Sequence, residues 1–307
     1  MVVPGKNAVA TASGGRRSWA SALQGEALLR WLMPAPAILI LVLFTVAPFV
    51  RTIYLSFTHV KMGRKILITW IGTENYSRLF NDDLFWIALR HTATFTIVAV
   101  LGELILGYMI ALLLYGEVSR WRSLFRSLFL LPMVLSPVVI GITWRALLNP
   151  SFGWVNHLLG THQFQWLGTP SHALYVLAMV DIWQWTPFMF LIILAGLQGL
   201  PTEVLEAARV DGASPIQLFI QVIWPIMLPI TTVAVLLRSI DALKIFDLVY
   251  NLTFGGPGTS TETMSFYMYR LAFKSFDHGY AAAVSVFLSI VTTILVTLFL
   301  RVSRRIV

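Results

Sequence analysis

The chain has 307 residues, 57% of them hydrophobic and only 12% charged, with a mean hydropathy of +0.77. Soluble domains carry about 25% charged residues, so this composition excludes an ordinary soluble domain and places the chain in a bilayer. The net charge is +8 and there is no cysteine. Disulfides, thiolate catalysis and Cys-based metal sites are therefore excluded, and the excess of lysine and arginine is read as cytoplasmic flanks of membrane spans, not as a nucleic-acid surface.

Residues 1–29 are rich in Ala, Ser and Gly, and the composition predicts a disordered cytoplasmic tail. A helical span of the hydrocarbon core needs about 20 apolar residues. Trp31–Val50 is an uncharged run of that length, too long for a signal-peptide core, and is expected to be a retained span. Further spans are expected at Phe85–Tyr115, which contains Glu103; at Ser127–Trp144, which contains Pro132 and Pro137; and at Ala173–Leu197, which contains Asp181. A fifth is expected at Val222–Val249 and a sixth at Tyr280–Leu300. The expected fold is an all-α membrane protein with six transmembrane helices, in one transmembrane domain over residues 30–307. Asn149–His172 and Asn251–Gly279 form the longer outer loops, with Trp154 and Trp166 suited to the membrane interface.

With an even number of spans both termini share a side. That side carries Lys6, Arg16, Arg17, Arg30, Arg120, Arg122, Arg126, Arg209, Arg301, Arg304 and Arg305, which is eleven cations. The opposite loops carry Arg51, Lys61, Arg64, Lys65, Arg78, Arg270 and Lys274, which is seven. The bias puts the termini in the cytoplasm.

Between the fourth and fifth spans the chain reads EAARVDGASPIQLFIQVIWPIMLP, from Glu206 to Pro229. Thr202 is expected to cap a helix through Glu206, Ala207 and Ala208, which are good helix formers. Gly212 is expected to end that helix with a left-handed backbone. Ser214, Pro215 and Gln217 have capping-box spacing and should start a second helix that runs into span five, with kinks at Pro225 and Pro229. A bare connector between spans would have the same helices. A thin helix joined to a span is also a lever.

This stretch resembles the EAA loop of the permease subunits of binding-protein-dependent ABC importers of the carbohydrate group, the MalF-like sugar permeases. The pattern is EAA, three residues, Gly, nine residues and Ile-x-Leu-Pro. Gly212 and Pro225 match, while Val222 and Trp224 replace the isoleucine and leucine. DIWQWTPFMFLIILAGLQGLP (181–201), RSIDALKIFDLVYNLTFGGPGTSTET (238–263) and FGWVNHLL (152–159) resemble the same group in the same order, so the resemblance covers about Pro34 to the C-terminus. It implies a type I ABC importer permease fold with a cytoplasmic EAA coupling helix. It also implies a second permease subunit related by a pseudo-two-fold axis, two cytoplasmic ATPase subunits and an external substrate-binding protein. By residue-by-residue carry-over, Glu206, Ala207, Ala208, Asp211 and Gly212, in a loop of about 201–217, would contact the ATPase. The chain itself has no G-x-x-x-x-G-K-[ST], so ATP and Mg are expected only in that partner.

Arg238, Asp241, Lys244 and Asp247 follow at spacing three, where helical neighbours meet. They form either a self-satisfied ion ladder or, through Asp241 and Asp247, a polar face on a substrate pathway. Trp183, Trp185 and Pro187 interrupt span four, as packing residues or as aromatic faces for sugar rings. Glu103 is read as an interhelical polar contact, with a proton relay as the alternative. The histidines show no ligand spacing, and no catalytic signature appears, so the chain is read as non-catalytic and metal-free. The substrate is expected to be a sugar, oligosaccharide or polyol. A phosphorylated solute such as glycerol phosphate is one alternative. An ion-driven secondary transporter relaying protons through Glu103, Asp181 and Asp241 is another, although the inverted repeat expected of that class is not seen.

Overall fold

The computed structural model describes residues 30–62, 66–115, 127–161 and 163–306, so the expected disordered tail lies outside the described residues. The chain divides into two compact units, Met1–Arg51 and Thr52–Val307. In the first, the described residues belong to helix α1, Arg30–Ser56, which has a π-helical turn at Val42–Val46 and continues into the second unit. The second holds a hairpin, β1 (Thr58–Met62) and β2 (Ile66–Trp70), antiparallel with Thr58 opposite Trp70. Then come α2 (Glu74–Phe80), α3 (Asp83–Leu114), α4 (Leu131–Val134), α5 (Pro137–Leu147), α6 (Trp154–Leu159) and α7 (Pro170–Gln198). They are followed by α8 (Thr202–Val210), α9 (Pro215–Ala242), α10 (Asp247–Leu252), α11 (Met264–Phe273) and α12 (His278–Ile306).

Among the described residues five helices are long and apolar enough to cross a membrane: α1, α3, α7, α9 and α12. The third expected span is not one helix. Pro132 and Pro137 each sit in a first helical turn, where the missing N–H costs nothing, and the extended backbone of Leu135 and Ser136 separates α4 from α5. The fifth expected span also ends early. Its helix stops at Ala242, and Asp247 opens α10, where a carboxylate complements the N-terminal dipole. The hairpin was not anticipated.

Prolines inside the long helices are absorbed. Pro187 stands within α7 without breaking it, and the Thr186 hydroxyl donates to the Ile182 carbonyl at 2.6 Å in the turn it disturbs. Ahead of Pro225 the chain widens into a π-helical stretch, Leu218–Ile223, which relieves the clash of the ring with the preceding turn. Pro229 lies inside the α-helical part, beside the back-bonded Thr231 and Thr232.

The main core joins α3, α5, α7, α9 and α10 around Phe95, Tyr108, Ile140, Phe190 and Met227. Two glycines set the closest approach. A Cβ at Gly102 would lie 2.5 Å from Ile182, and one at Gly107 would lie 2.9 Å from the Met189 Cβ and 3.2 Å from the Phe190 nitrogen. Lipid gives apolar helices no hydrophobic drive to associate, so such close backbone contact is what holds α3 on α7.

A second cluster ties the starts of α3 and α12 to α11 through Phe85, Met264, Tyr267 and Tyr280. Asp82 is its polar centre. It caps α3 by accepting from the Leu84 amide at 2.9 Å, and it accepts from the hydroxyls of Tyr267 and Tyr280, the latter at 2.7 Å. Arg78 pairs with Asp277 at 2.7 Å and lies over the Tyr280 ring. Burial opposes the Asp82 charge, but these donated hydrogen bonds outweigh it and hold the carboxyl below its ordinary value.

An acid lowered in the folded state adds stability above its ordinary pKa of about 4, and that stability is lost as pH falls through the folded value. Asp82→Asn is therefore expected to lower the thermal unfolding midpoint of the purified protein at neutral pH. The gap to wild type should narrow as the pH falls below the ordinary carboxylate value of about 4. Unfolding curves at neutral and acid pH check this, and a gap that does not narrow with pH would contradict the role given to the carboxylate.

Candidate functional site

Two places gather the residues singled out in the sequence. The first is a charge cluster inside the helix bundle. Arg238 of α9 is 2% exposed. Its Nη2 donates to the Glu103 Oε1 at 2.9 Å, and its Nε lies 2.8 Å from the Glu103 Oε2, an ion pair onto α3 with one hydrogen bond. The same Nη2 donates to the Asp181 Oδ2 on α7, and Nη1 donates to the Asp241 Oδ2 at 2.8 Å. Glu103 and Asp181 are fully buried, whereas the Asp241 side chain is 61% exposed. One buried guanidinium thus stands against two buried carboxylates, with a third carboxylate on the rim. Trp185, one turn beyond Asp181, closes the site with its ring 5.0 Å from the Arg238 Cζ.

The structure redistributes the other expected pathway residues. Lys244 and Asp247 lie beyond the end of α9, exposed, and among the described residues neither forms an ion pair, so the four-membered ladder reduces to Arg238 and Asp241. Trp183 points away from the cluster and meets Trp144 of α5 edge-on at 5.5 Å. Glu103, expected to make an interhelical polar contact, pairs with Arg238 of α9. The signal that could have found it is charge balance: a buried cation on one span needs acids from others, and spans two and four each carry one.

The second place is the joint between α7 and α9. Helix α8 starts at Thr202 itself, preceded by an extended Pro201, and no side chain caps it; the expected Thr202 cap is not formed. Leu205 anchors α8 in the main core. Glu206, Ala207, Asp211 and Gly212 are exposed and Ala208 is half-buried. The helix ends with the Gly212 amide donating to the Arg209 carbonyl and the Ala213 amide to the Ala208 carbonyl, a Schellman closure around Gly212 at φ +81°. A Cβ at Gly212 would meet nothing, so its backbone angle alone asks for glycine. Two residues on, Ser214 and Gln217 form a full capping box, at 3.3 Å and 2.9 Å, that opens α9. Both sides of the turn are hydrogen-bonded, so α8 is attached to α9 without slack. Val210 and Ile216 stand exposed beside it, at 87% and 71%.

Residues 103–307 match the family described as binding-protein-dependent transport system inner membrane component. The chain is 35% identical to the trehalose/maltose transport system permease protein MalF of Thermococcus litoralis, over 91% of this chain and 95% of that one. It is also 35% identical to the sulfoquinovosyl glycerol transport system permease protein SmoG of Agrobacterium fabrum, covering 91% and 92%. In fold it is similar to a chain of a bacterial ABC transporter involved in import of the acidic polysaccharide alginate, with a TM-score of 0.81 at 23% identity, covering 94% of this chain and 99% of that one.

Removing the cation of a buried pair strands its partners, at a cost of about 3–5 kcal/mol. Arg238→Met is expected to destabilise the protein on that scale, because Glu103 and Asp181 stay buried. Asp241→Asn, at an exposed carboxylate, should cost at most about 1 kcal/mol. Thermal or denaturant unfolding of the two variants in the same detergent measures the contrast, and equal losses would contradict the assignment of core and rim.

Proposed function

The chain belongs to the family of binding-protein-dependent transport system inner membrane components, and we propose that it is the permease subunit of an ATP-driven ABC importer carrying a sugar, oligosaccharide or polyol across the cytoplasmic membrane. The observation that carries the coupling mechanism is the slack-free joint. An exposed short helix bearing Glu206, Ala207 and Ala208 is locked through Gly212 and Ser214 to α9, the helix that holds Arg238. Relatives named as trehalose/maltose, lactose and multiple-sugar permeases support the solute class.

In this reading α8 faces the cytoplasm, with both termini, and docks in a cleft of an ATPase subunit. ATP and Mg are held there. Glu206 offers its carboxylate to a basic group of that cleft, Ala207 and Ala208 keep the helix thin enough to seat, and Asp211 and Gly212 shape the turn. A second permease, related by a pseudo-two-fold axis, carries the equivalent helix. Closure of two ATPase subunits draws the two coupling helices together, and α9 carries the motion into the bundle. The cavity between the permeases then switches the side to which it opens. An external binding protein delivers the solute, as in the solved alginate transporter complexed with a pentasaccharide-bound periplasmic protein.

The alternatives fit less well. A phosphorylated solute would need a free cation at the centre, and the Arg238 guanidinium is engaged by three carboxylates. A proton relay would need Glu103 and Asp181 free to reorient, and both are held on that guanidinium.

Glu206→Lys reverses the charge offered to the ATPase while leaving an exposed helical position intact. ATP-driven uptake in proteoliposomes of the full importer is expected to fall by more than about tenfold, with the unfolding midpoint of the permease unchanged. Uptake at the wild-type rate would overturn the coupling role. Uptake abolished by an ionophore but insensitive to ATP depletion would overturn the importer class.

A further inference from the structure

At the end of the bundle away from α8, the loop between α5 and α7 encloses a cavity of about 470 Å³, a size suited to a small ligand. Its walls include Ser151, Phe152, Trp154, His157, Thr161 and Gln163. Phe152 and Trp154 are 70% and 66% exposed, so two aromatic faces are presented, and His157 sits edge-on to Trp154. Among the described residues lining this cavity none is Asp, Glu, Lys or Arg.

The loop is built, not slack. Asn156 is buried and makes four contacts. Its amide donates to the carbonyls of Pro150 at 3.4 Å and Phe164 at 3.0 Å, and its oxygen accepts from the Thr161 hydroxyl at 3.2 Å and the Trp166 indole at 2.7 Å. Asn149 accepts from the amides of Ser151 and Phe152. Gly153, between the two aromatics, is packed so closely that a Cβ would lie 2.4 Å from the carbonyls of both Leu147 and Asn149. The backbone that carries the two aromatics is therefore ordered before any ligand arrives, which lowers the ordering cost of binding.

Exposed aromatic faces on an ordered loop, beside hydroxyl, imidazole and amide groups without a formal charge, match a ligand with apolar C–H faces and many neutral hydroxyls. We propose that this cavity is an entry subsite that binds an uncharged saccharide before it reaches the membrane interior. The proposal rests on the importer reading and adds to it both a place and a charge class. A ring serving only as a bilayer anchor would face lipid, and it would not need a cavity with polar walls beside it.

The test is equilibrium binding of a radiolabelled panel of uncharged mono- and disaccharides, including trehalose, maltose and lactose, to the purified permease assembly without binding protein or nucleotide. An acidic alginate oligosaccharide serves as comparator. At least one neutral sugar is expected to bind saturably, and the comparator is not. Trp154→Ala should weaken that binding by about tenfold or more, and Trp154→Phe, which keeps an aromatic face, by no more than about threefold. An unchanged unfolding midpoint shows that the fold is kept, and Phe152→Ala provides a second variant should Trp154→Ala fold poorly. Failure of every neutral sugar to bind, wild-type binding by the alanine variants, or preference for the acidic comparator overturns the subsite. ATP-driven uptake is read separately, so the subsite can fail while the importer reading stands.

Discussion

A guanidinium inside an apolar helix bundle has to be answered by acids, and Arg238 is answered from two other helices. An unpaired charge in a span costs several kcal/mol, more than any single packing contact returns. Only registers that bring Glu103 of α3 and Asp181 of α7 to Arg238 avoid that cost. Glycine contacts act along the same seam: Gly102, adjacent to Glu103, packs on Ile182, adjacent to Asp181, so the close approach and the ion pairs specify one arrangement. Trp185 then seals the guanidinium from one side while Asp241 reaches it from the rim.

Because the cluster sits on α9, whatever moves that helix acts on it. Ser214 and Arg238 are 24 residues apart on one continuous helical run, roughly 36 Å at about 1.5 Å per residue. At the far end the capping box and the Schellman closure bond every amide from Asp211 to Ser214 between α8 and α9. The π-helical stretch at Leu218–Ile223 is the exception to regular pitch along this path, and it lies between the joint and the cluster. A displacement of α8 must either pass this segment as rigid motion or be taken up there as a change of pitch. In the first case the motion reaches the ion pairs; in the second it is taken up ahead of Pro225.

The local devices were legible in the sequence because they are encoded by neighbours. Ser214, Pro215 and Gln217 specify a cap whatever surrounds them, and Gly212 marks the left-handed turn. The long spans were equally plain, because an apolar run of that length has few other uses. Less was readable where the deciding partner is distant. Spacing three predicted that Arg238, Asp241, Lys244 and Asp247 would meet on one helix, but no glycine or proline announced that the helix ends at Ala242. The acids that bind Arg238 lie 57 and 135 residues away in sequence. Pro132 and Pro137 were visible, but whether such prolines kink a helix or start two depends on the packing around them. Trp183 and Trp185 looked like a pair, yet they are two positions apart on a helix and so face different neighbours, Trp144 and Arg238.

Charge gives the bundle cluster and the cavity of the α5–α7 loop a common logic. In the bundle the cation is enclosed by carboxylates, and the member left exposed is an acid, Asp241. Under the proposed function a solute moving past that rim would meet negative potential, which disfavours anions and leaves hydroxyl donors free to pair with the carboxylate. In the α5–α7 loop, the cavity around Trp154 has no charged wall among the described residues and two open aromatic faces. An anionic solute would find no cation in that cavity and a repulsive rim further on. A neutral polyhydroxylated solute finds ring faces first and an acceptor later. Under the proposed function the same discrimination would be made at both places by different chemistry, the absence of charge in one and its sign in the other.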